Sequence, residues 1–336
     1  MFHGILLIGL FTCASFYISD IQFFKNLSFS PMIIGIILGM LYANSLRNHL
    51  PATWVPGIQF CSKKLLRLGI ILYGFRLTFQ DVMTVGLAGI AVDAIIVTVT
   101  ILGGVWIGRL LKMDQETALL TSVGSGICGA AAVLGAESTI RTKPYKTAVA
   151  VATVVIFGTI SMFLYPVAYR SGWLDLTPEQ MGIFTGSTLH EVAHAVGAGN
   201  AMGEAISNTS IIVKMIRVMM LVPVLLVLGV WAARRTKASG EASAEKGKVA
   251  IPWFAVGFLA VIGFNSFNLL PQVFVDAINY VDTFLLTMAM VALGAETSID
   301  KFKKAGPKPF ILAFVLDIWL ILGGYILAKH LAPLML

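Results

Sequence analysis

About eleven stretches of this chain are apolar enough to enter a lipid bilayer, where a crossing helix needs about 20 mostly apolar residues. They fall at 2–18, 31–43, 57–79, 86–110, 116–138, 145–168, 179–200, 207–233, 251–270, 275–297 and 308–332. The runs are too long for barrel strands and lack their two-residue alternation, so helices are predicted throughout. Only 12% of the 336 residues are charged and the mean hydropathy is +0.87, whereas soluble domains carry about 25% charged residues. The chain therefore reads as an all-α polytopic membrane protein without a large soluble domain. The first run, Phe2 to Ile18, has no Lys or Arg ahead of it and reads as a retained span rather than a signal peptide. Residues 234–249 are small, polar and charged, and read as a flexible loop.

The net charge of +7 sits in short connections between apolar runs, where it sets orientation and does not point to nucleic acid. Arg47, Lys63, Lys64 and Arg67 mark one connection. Arg234, Arg235, Lys237, Lys246 and Lys248 mark a second, and Lys301, Lys303, Lys304 and Lys308 a third. Even numbers of spans separate the three, which places them together in the cytoplasm, with the N-terminus inside and the C-terminus outside. The connection bearing Arg141, Lys143 and Lys146 falls outside if every run crosses. Two explanations hold: an inverted repeat carrying the same basic flank on both faces, or re-entry of both 116–138 and 179–200. Full crossing is preferred, because it inverts a sequence repeat.

That repeat is Leu134-Gly135-Ala136-Glu137-Ser138-Thr139-Ile140, which returns 159 residues later as Leu293-Gly294-Ala295-Glu296-Thr297-Ser298-Ile299. An odd number of crossings between the copies turns the second upside down, as in secondary transporters whose substrate site lies between inverted halves. The expected organisation is a leading helix in 1–30, a first five-helix repeat in 31–170 and a second in 171–336, with broken helices at the midplane.

Two runs carry the candidate chemistry. In 116–138, the string Gly124-x-Gly126-x-x-Gly129 matches a dinucleotide fingerprint, but it lacks the strand–turn–helix setting that the fingerprint needs. Three glycines in six residues instead predict a helix break. A half-helix starting near Ile127 would aim free N–H groups and a positive dipole end at an anion, with Ser125, Gly126, Ile127, Cys128 and Gly129 as the cradle. In 179–200, Ser187, Thr188, His190, Glu191 and His194 form a polar wall. Gly186-Ser187 echoes Gly124-Ser125, and Gly197-Ala198 echoes Gly135-Ala136, both at an offset of 62. His190-Glu191-x-x-His194 also matches the H-E-x-x-H zinc protease signature. A catalytic zinc takes a third protein ligand, and neither Asp93 nor Asp317 lies in a recognisable ligand motif, so no metal or cofactor is expected. The three cysteines, Cys13, Cys61 and Cys128, have no metal or disulfide spacing.

Ionisable residues within spans are functional candidates by default. Arg76, Asp93, Arg217 and Asp317 are assigned as charge partners. Lys214 is a further candidate; the alternatives are that Lys214 snorkels outward and that Asp93 approaches an interface. Glu137 and Glu296 end their helices, where a carboxylate opposes the dipole and requires a cationic partner.

Leu72-Tyr73-Gly74-Phe75-Arg76-Leu77-Thr78, Gly126-Ile127-Cys128-Gly129-Ala130, Gly186 to His194 and Ala292-Leu293-Gly294-Ala295-Glu296-Thr297 together resemble the YeiH-type family of bacterial inner-membrane proteins, labelled sulfate exporters. The family pattern resembles His-Glu-Val-Ala-Gln where this chain has His194, which speaks against a zinc pair. Its organisation is similar to bile-acid symporters and sodium/proton antiporters. The resemblance implies a non-enzymatic secondary transporter of a small anion, sulfate or an organosulfonate, coupled to protons or sodium, with a homodimer as one permitted assembly. A cation/proton antiporter using Glu191, Asp93 and Asp317, and an intramembrane metalloprotease, are the alternatives.

Overall fold

The computed structural model describes residues 1–26, 30–45, 51–140, 142, 144–238, 253–296 and 307–335. Arg47, Arg141, Lys143, Lys246, Lys248, Lys301, Lys303, Lys304 and most of the predicted 234–249 loop lie outside them. Every regular element among the described residues is helical. In chain order they are α1 Phe2–Ser19, α2 Gln22–Asn26, α3 Pro31–Ser45, α4 Val55–Phe60, α5 Leu66–Tyr73, α6 Phe79–Leu110, α7 Gln115–Gly126, α8 Ala130–Ile140 and α9 Pro144–Arg170. These are followed by α10 Pro178–Thr188, α11 Val192–Met202, α12 Glu204–Met219, α13 Leu221–Ala238, α14 Trp253–Ser266, α15 Gln272–Glu296 and α16 Pro307–Ile326. A π-helical stretch, Cys61–Leu65, joins α4 to α5 into one rod. Among the described residues, six helical stretches are long and apolar enough to cross a membrane, and α3 and α14 are shorter apolar helices.

Two predicted crossings are helical hairpins instead. In the first hairpin, α7 and α8 meet at a break over 127–129. Thr142, just past α8, donates a 2.7 Å hydrogen bond to Glu116 in the first turn of α7. Lys146 pairs at 2.8 Å with both Asp114 and Glu116. The two ends of the segment therefore lie on one face. In the second hairpin, α10 and α11 meet at a break over 189–191. Gly182 and Gly186 of α10 pack on Thr209 and Ser210 of α12, so α10 runs parallel to α12. Gly203 (φ +128°) turns the chain from α11 straight back into α12, making α11 antiparallel to it. Each arm has 11 or 12 residues, about 17 Å of helix, or half of a hydrocarbon core of about 30 Å. The chain reverses because each first arm is capped on entry, by Asp114 and by a Thr177–Gln180 capping box, and is then interrupted before it has crossed.

Re-entry accounts for the discordant basic loop. With 116–138 turning back, Lys146 joins Lys63, Lys64, Arg67, Arg109, Lys112 and Lys308 on one face, which is cytoplasmic by the positive-inside rule. Contacts tie that face together: Lys308 donates to the Lys112 carbonyl, and the Met1 amino group to that of Thr53. On the opposite face, Asn265 bonds the carbonyls of Phe75 and Leu77, and Lys329 pairs with Asp175. Outside the spans, burial works against the Asp114 carboxylate, but hydrogen bonds from Lys146 and Thr117 prevail and hold its pKa below the usual value.

The 159-residue repeat is not inverted. Leu134 and Glu137 line the same cavity as Leu293 and Glu296, so both motifs end on the cytoplasmic side. Their glycines serve packing. A Cβ on Gly294 would collide with the backbone of α3 at Ile36, and Gly135 packs on Leu225. The opposed elements are the two hairpins, which correspond at the offset of 62. The α7–α8 hairpin enters from the cytoplasmic face. α9 then crosses, and Arg170 at its far end donates to the Ala201 carbonyl at the base of the other hairpin.

Packing divides the helices into two groups. α1, α3, the α4–α5 rod, α14 and α15 pack on one another, while α6, both hairpins, α9, α12 and α16 form the second group. The line between the groups cuts across the predicted 31–170 and 171–336 units, since α3 lies along α15.

Candidate functional site

The hairpin tips meet deep inside the second group, where α12 supplies two buried cations. Each first arm ends with carbonyls that have no partner in the next turn. Lys214 Nζ donates to the carbonyls of Ile127 (2.8 Å) and Leu189. Arg217 donates from Nε to Gly126 O (2.7 Å), from Nη1 to Leu189 O (3.0 Å) and from Nη2 to Ser125 O (2.6 Å). Both side chains are fully buried. The two cations thus satisfy the negative ends of α7 and α10 and pin the two tips to each other. Lys214 does not snorkel: its ammonium is committed to two carbonyls in the protein interior. Asp93 is not interfacial, because α6 begins two turns earlier than predicted, at a Thr78–Asp81 capping box. It is fully buried among the charges of Arg217 and Lys214, and neither of its oxygens has a hydrogen-bond partner.

The expected anion cradle is narrower than the sequence suggests. The N–H groups of Ile127 and Gly129 already bond to the carbonyls of Val123 and Gly124. The available helix start is that of α8, and Glu191 occupies it. Its Oε1 accepts the Ala130 N–H at 3.3 Å, and its chain packs on Gly129, whose φ is +66°. A protein carboxylate therefore sits where a half-helix N-terminus favours negative charge. Ser125 Oγ is buried without a hydrogen-bond partner, and Cys128 is buried beside it at the tip. Ser187 bonds back to Phe184 O; Thr188 does the same and also meets the Tyr165 hydroxyl at 2.8 Å.

His190 and His194 do not share a helix face. His190 lies in the extended break, and α11 begins only at Val192, so the i, i+4 geometry that gives the H-E-x-x-H signature its meaning is not formed. His190 Nδ1 is 4.0 Å from Asp317 Oδ1 on α16, and His194 Nε2 is 3.9 Å from Glu191 Oε2. Arg76 belongs elsewhere. It bonds Asp282 (3.2 Å), Thr283 and the Asn279 carbonyl on α15, and stacks on Tyr73. Asp282, missed in the sequence, is its buried counter-ion.

A cavity of about 610 Å³ separates the two helix groups. Gln59, Lys63, Arg67, Glu137 and Glu296 line its cytoplasmic end, and Cys128, Ala130, Ala131, Glu191 and Val192 its floor. Glu137 and Glu296 thus share a cavity with Lys63 and Arg67, the kind of cationic company their helix ends require. A second cavity of about 640 Å³ lies between α6, α7 and α13, away from the tips, and is almost wholly apolar.

The architecture is that of a multi-pass membrane protein with half-helices meeting at mid-depth under a cytoplasmic cavity. The chain belongs to the family described as Conserved hypothetical protein 698, whose model matches residues 3–313. It is 69% identical over 333 residues to a UPF0324 membrane protein of Bacteroides thetaiotaomicron, covering 99% of each chain. It is 46% identical over 324 residues to the UPF0324 inner membrane protein YeiH of Escherichia coli K12, covering 96% of this chain and 91% of that one. These relatives agree with the sequence resemblance and with location in the inner membrane. A solved structure of the sodium proton antiporter MjNhaP1 from Methanocaldococcus jannaschii aligns over 98% of this chain and 99% of that one, at 10% identity. Its TM-score of 0.31 carries no conclusion.

Proposed function

We propose that the chain is a secondary transporter, not an enzyme, that moves a small anion of the sulfate or organosulfonate class across the inner membrane by alternating access. The observation that carries this reading is the meeting of two opposed hairpin tips, pinned by Lys214 and Arg217, at the floor of a cavity lined at its cytoplasmic end by Lys63 and Arg67. Interrupted helices at mid-depth place oriented backbone ends in the membrane, where transporters bind substrate. Two buried cations favour an anion, and the Glu191 carboxylate on α8 marks where one is electrostatically accepted. The unpartnered Asp93 carboxylate favours the second reading, a cation/proton exchanger of the same fold.

Purified protein in liposomes is expected to take up labelled sulfate or methanesulfonate saturably. Ala131 is exposed on the cavity floor, so Ala131→Trp is expected to fold normally and lose uptake. Failure of both anions to move, or wild-type uptake by Ala131→Trp, contradicts the assignment. Uptake of labelled sodium against protons in their place supports the exchanger.

A further inference from the structure

None of His190, His194 and Asp317 lines the cavity, and anion binding as proposed leaves them unused. His190 is fully buried, and neither ring nitrogen has a hydrogen-bond partner. Its Nδ1 faces Asp317 Oδ1 at 4.0 Å, and that same oxygen accepts a 3.0 Å hydrogen bond from Ser161 on α9. The Asp317 side chain keeps a 9% exposed edge while that of His190 has none. Towards the cavity, Glu191 lines the floor and its Oε2 is 3.9 Å from His194 Nε2. The His194 ring and the His190 Cβ both lie against Gly158, where a methyl group would collide with that ring and press on that Cβ, so glycine leaves room for the two histidines side by side. Glu191, His194, His190 and Asp317 thus form a succession of proton-accepting groups from the cavity floor, through the second hairpin tip, to α16.

We propose that this succession carries the coupling proton and that His190 and Asp317 hold it between them, so that anion movement is driven by protons rather than sodium. The proposal rests on the transporter reading above. A proton arriving on the Glu191 carboxylate passes to His194 Nε2. His194 releases one from Nδ1 towards His190, and the last comes to rest between His190 Nδ1 and Asp317 Oδ1. Each hop breaks one O–H or N–H bond and forms another, so the steps balance without a co-reactant. The groups facing the pair are Lys214 and Arg217 of α12, His194 of α11, Thr188 of α10, and Ser161 and Tyr165 of α9. Hard metal cations are held by converging oxygens. Here an imidazole and a donating hydroxyl meet a single carboxylate, which can share a proton but does not supply the converging oxygens a hard metal ion takes.

The test uses the full chain in liposomes loaded with a pH-sensitive dye, with labelled sulfate or methanesulfonate outside and the membrane potential clamped. An imposed gradient of about one pH unit, worth about tenfold accumulation for one proton per anion, is expected to drive uptake with matching acid movement and no sodium requirement. Asp317→Asn is expected to lose this accumulation while keeping anion-for-anion exchange, and His190→Gln to do the same. Accumulation by Asp317→Asn equal to wild type, or accumulation that follows sodium, overturns the proposal. A wild-type protein that moves neither anion sinks the transporter reading instead. The pair is then read without substrate, from nitrogen NMR of labelled histidine. The His190 resonances are expected to change their titration midpoint in Asp317→Asn, and an unchanged midpoint overturns the proposal.

Discussion

Arg217→Ala is expected to be the most damaging single change in this protein, costing about 3–5 kcal/mol of stability and all transport. The side chain bonds three carbonyls, Ser125, Gly126 and Leu189, deep in the protein interior. Leu189 keeps the Lys214 ammonium, but Ser125 and Gly126 are left without a donor, and a buried acceptor left without a partner costs about 1–3 kcal/mol. Asp93 also loses one of the two charges that face it. Thermal unfolding of the detergent-purified protein measures the loss. Arg217→Lys is expected to recover only part of it, because an ammonium cannot reproduce a planar fork bonding three carbonyls on two hairpins. A near wild-type unfolding temperature for Arg217→Ala would mean that the tips are not held as described.

The second large effect is expected at Gly129. Its φ of +66° lies in the left-handed region, and a Cβ would run into the Glu191 side chain. A β-branched residue meets both obstacles. Gly129→Val is expected to cost about 1–2 kcal/mol in backbone strain alone and to push Glu191 off the Ala130 N–H. Gly126 has ordinary backbone and looser surroundings, with a Cβ 3.2 Å from Ile101. Gly126→Ala is therefore the milder change, tolerated at the level of folding. Uptake measurements paired with unfolding temperatures separate the two. Equal behaviour of Gly129→Val and Gly126→Ala would dismiss the special role given to Gly129.

The membrane class, most helices and both helix breaks were legible in the sequence because apolar length and glycine clustering are local properties. The matches at an offset of 62 between Gly124-Ser125 and Gly186-Ser187, and between Gly135-Ala136 and Gly197-Ala198, were the true trace of the opposed hairpins. The longer repeat at 159 outweighed them and misled, since its glycines serve two unrelated packing contacts. Hydropathy left re-entry and full crossing both open, because an interrupted hairpin of two 11- or 12-residue arms is as apolar as one crossing helix. Two signals pointed to re-entry: the misplaced Arg141, Lys143 and Lys146, and the helix-starting residues Asp114 and Thr177-Pro178-Glu179-Gln180. The clamp by Lys214 and Arg217 was not legible, because its partners are backbone carbonyls and no side-chain pattern marks them. Asp282 escaped notice until Arg76 was seen beside it.

Everything functional proposed for this chain depends on both hairpins turning back at mid-depth, and thiol labelling in intact cells tests that most directly. With re-entry, position 142 faces the cytoplasm and position 173 the exterior; with full crossing the two exchange places. Trp173 is 71% exposed in the connection after α9, and Thr142 follows α8. In cells carrying Trp173→Cys or Thr142→Cys in a background without other cysteines, a membrane-impermeant maleimide is expected to label position 173 and leave 142 untouched until the cells are opened. Labelling of 142 with protection of 173 would contradict the opposed hairpins and the site built on them.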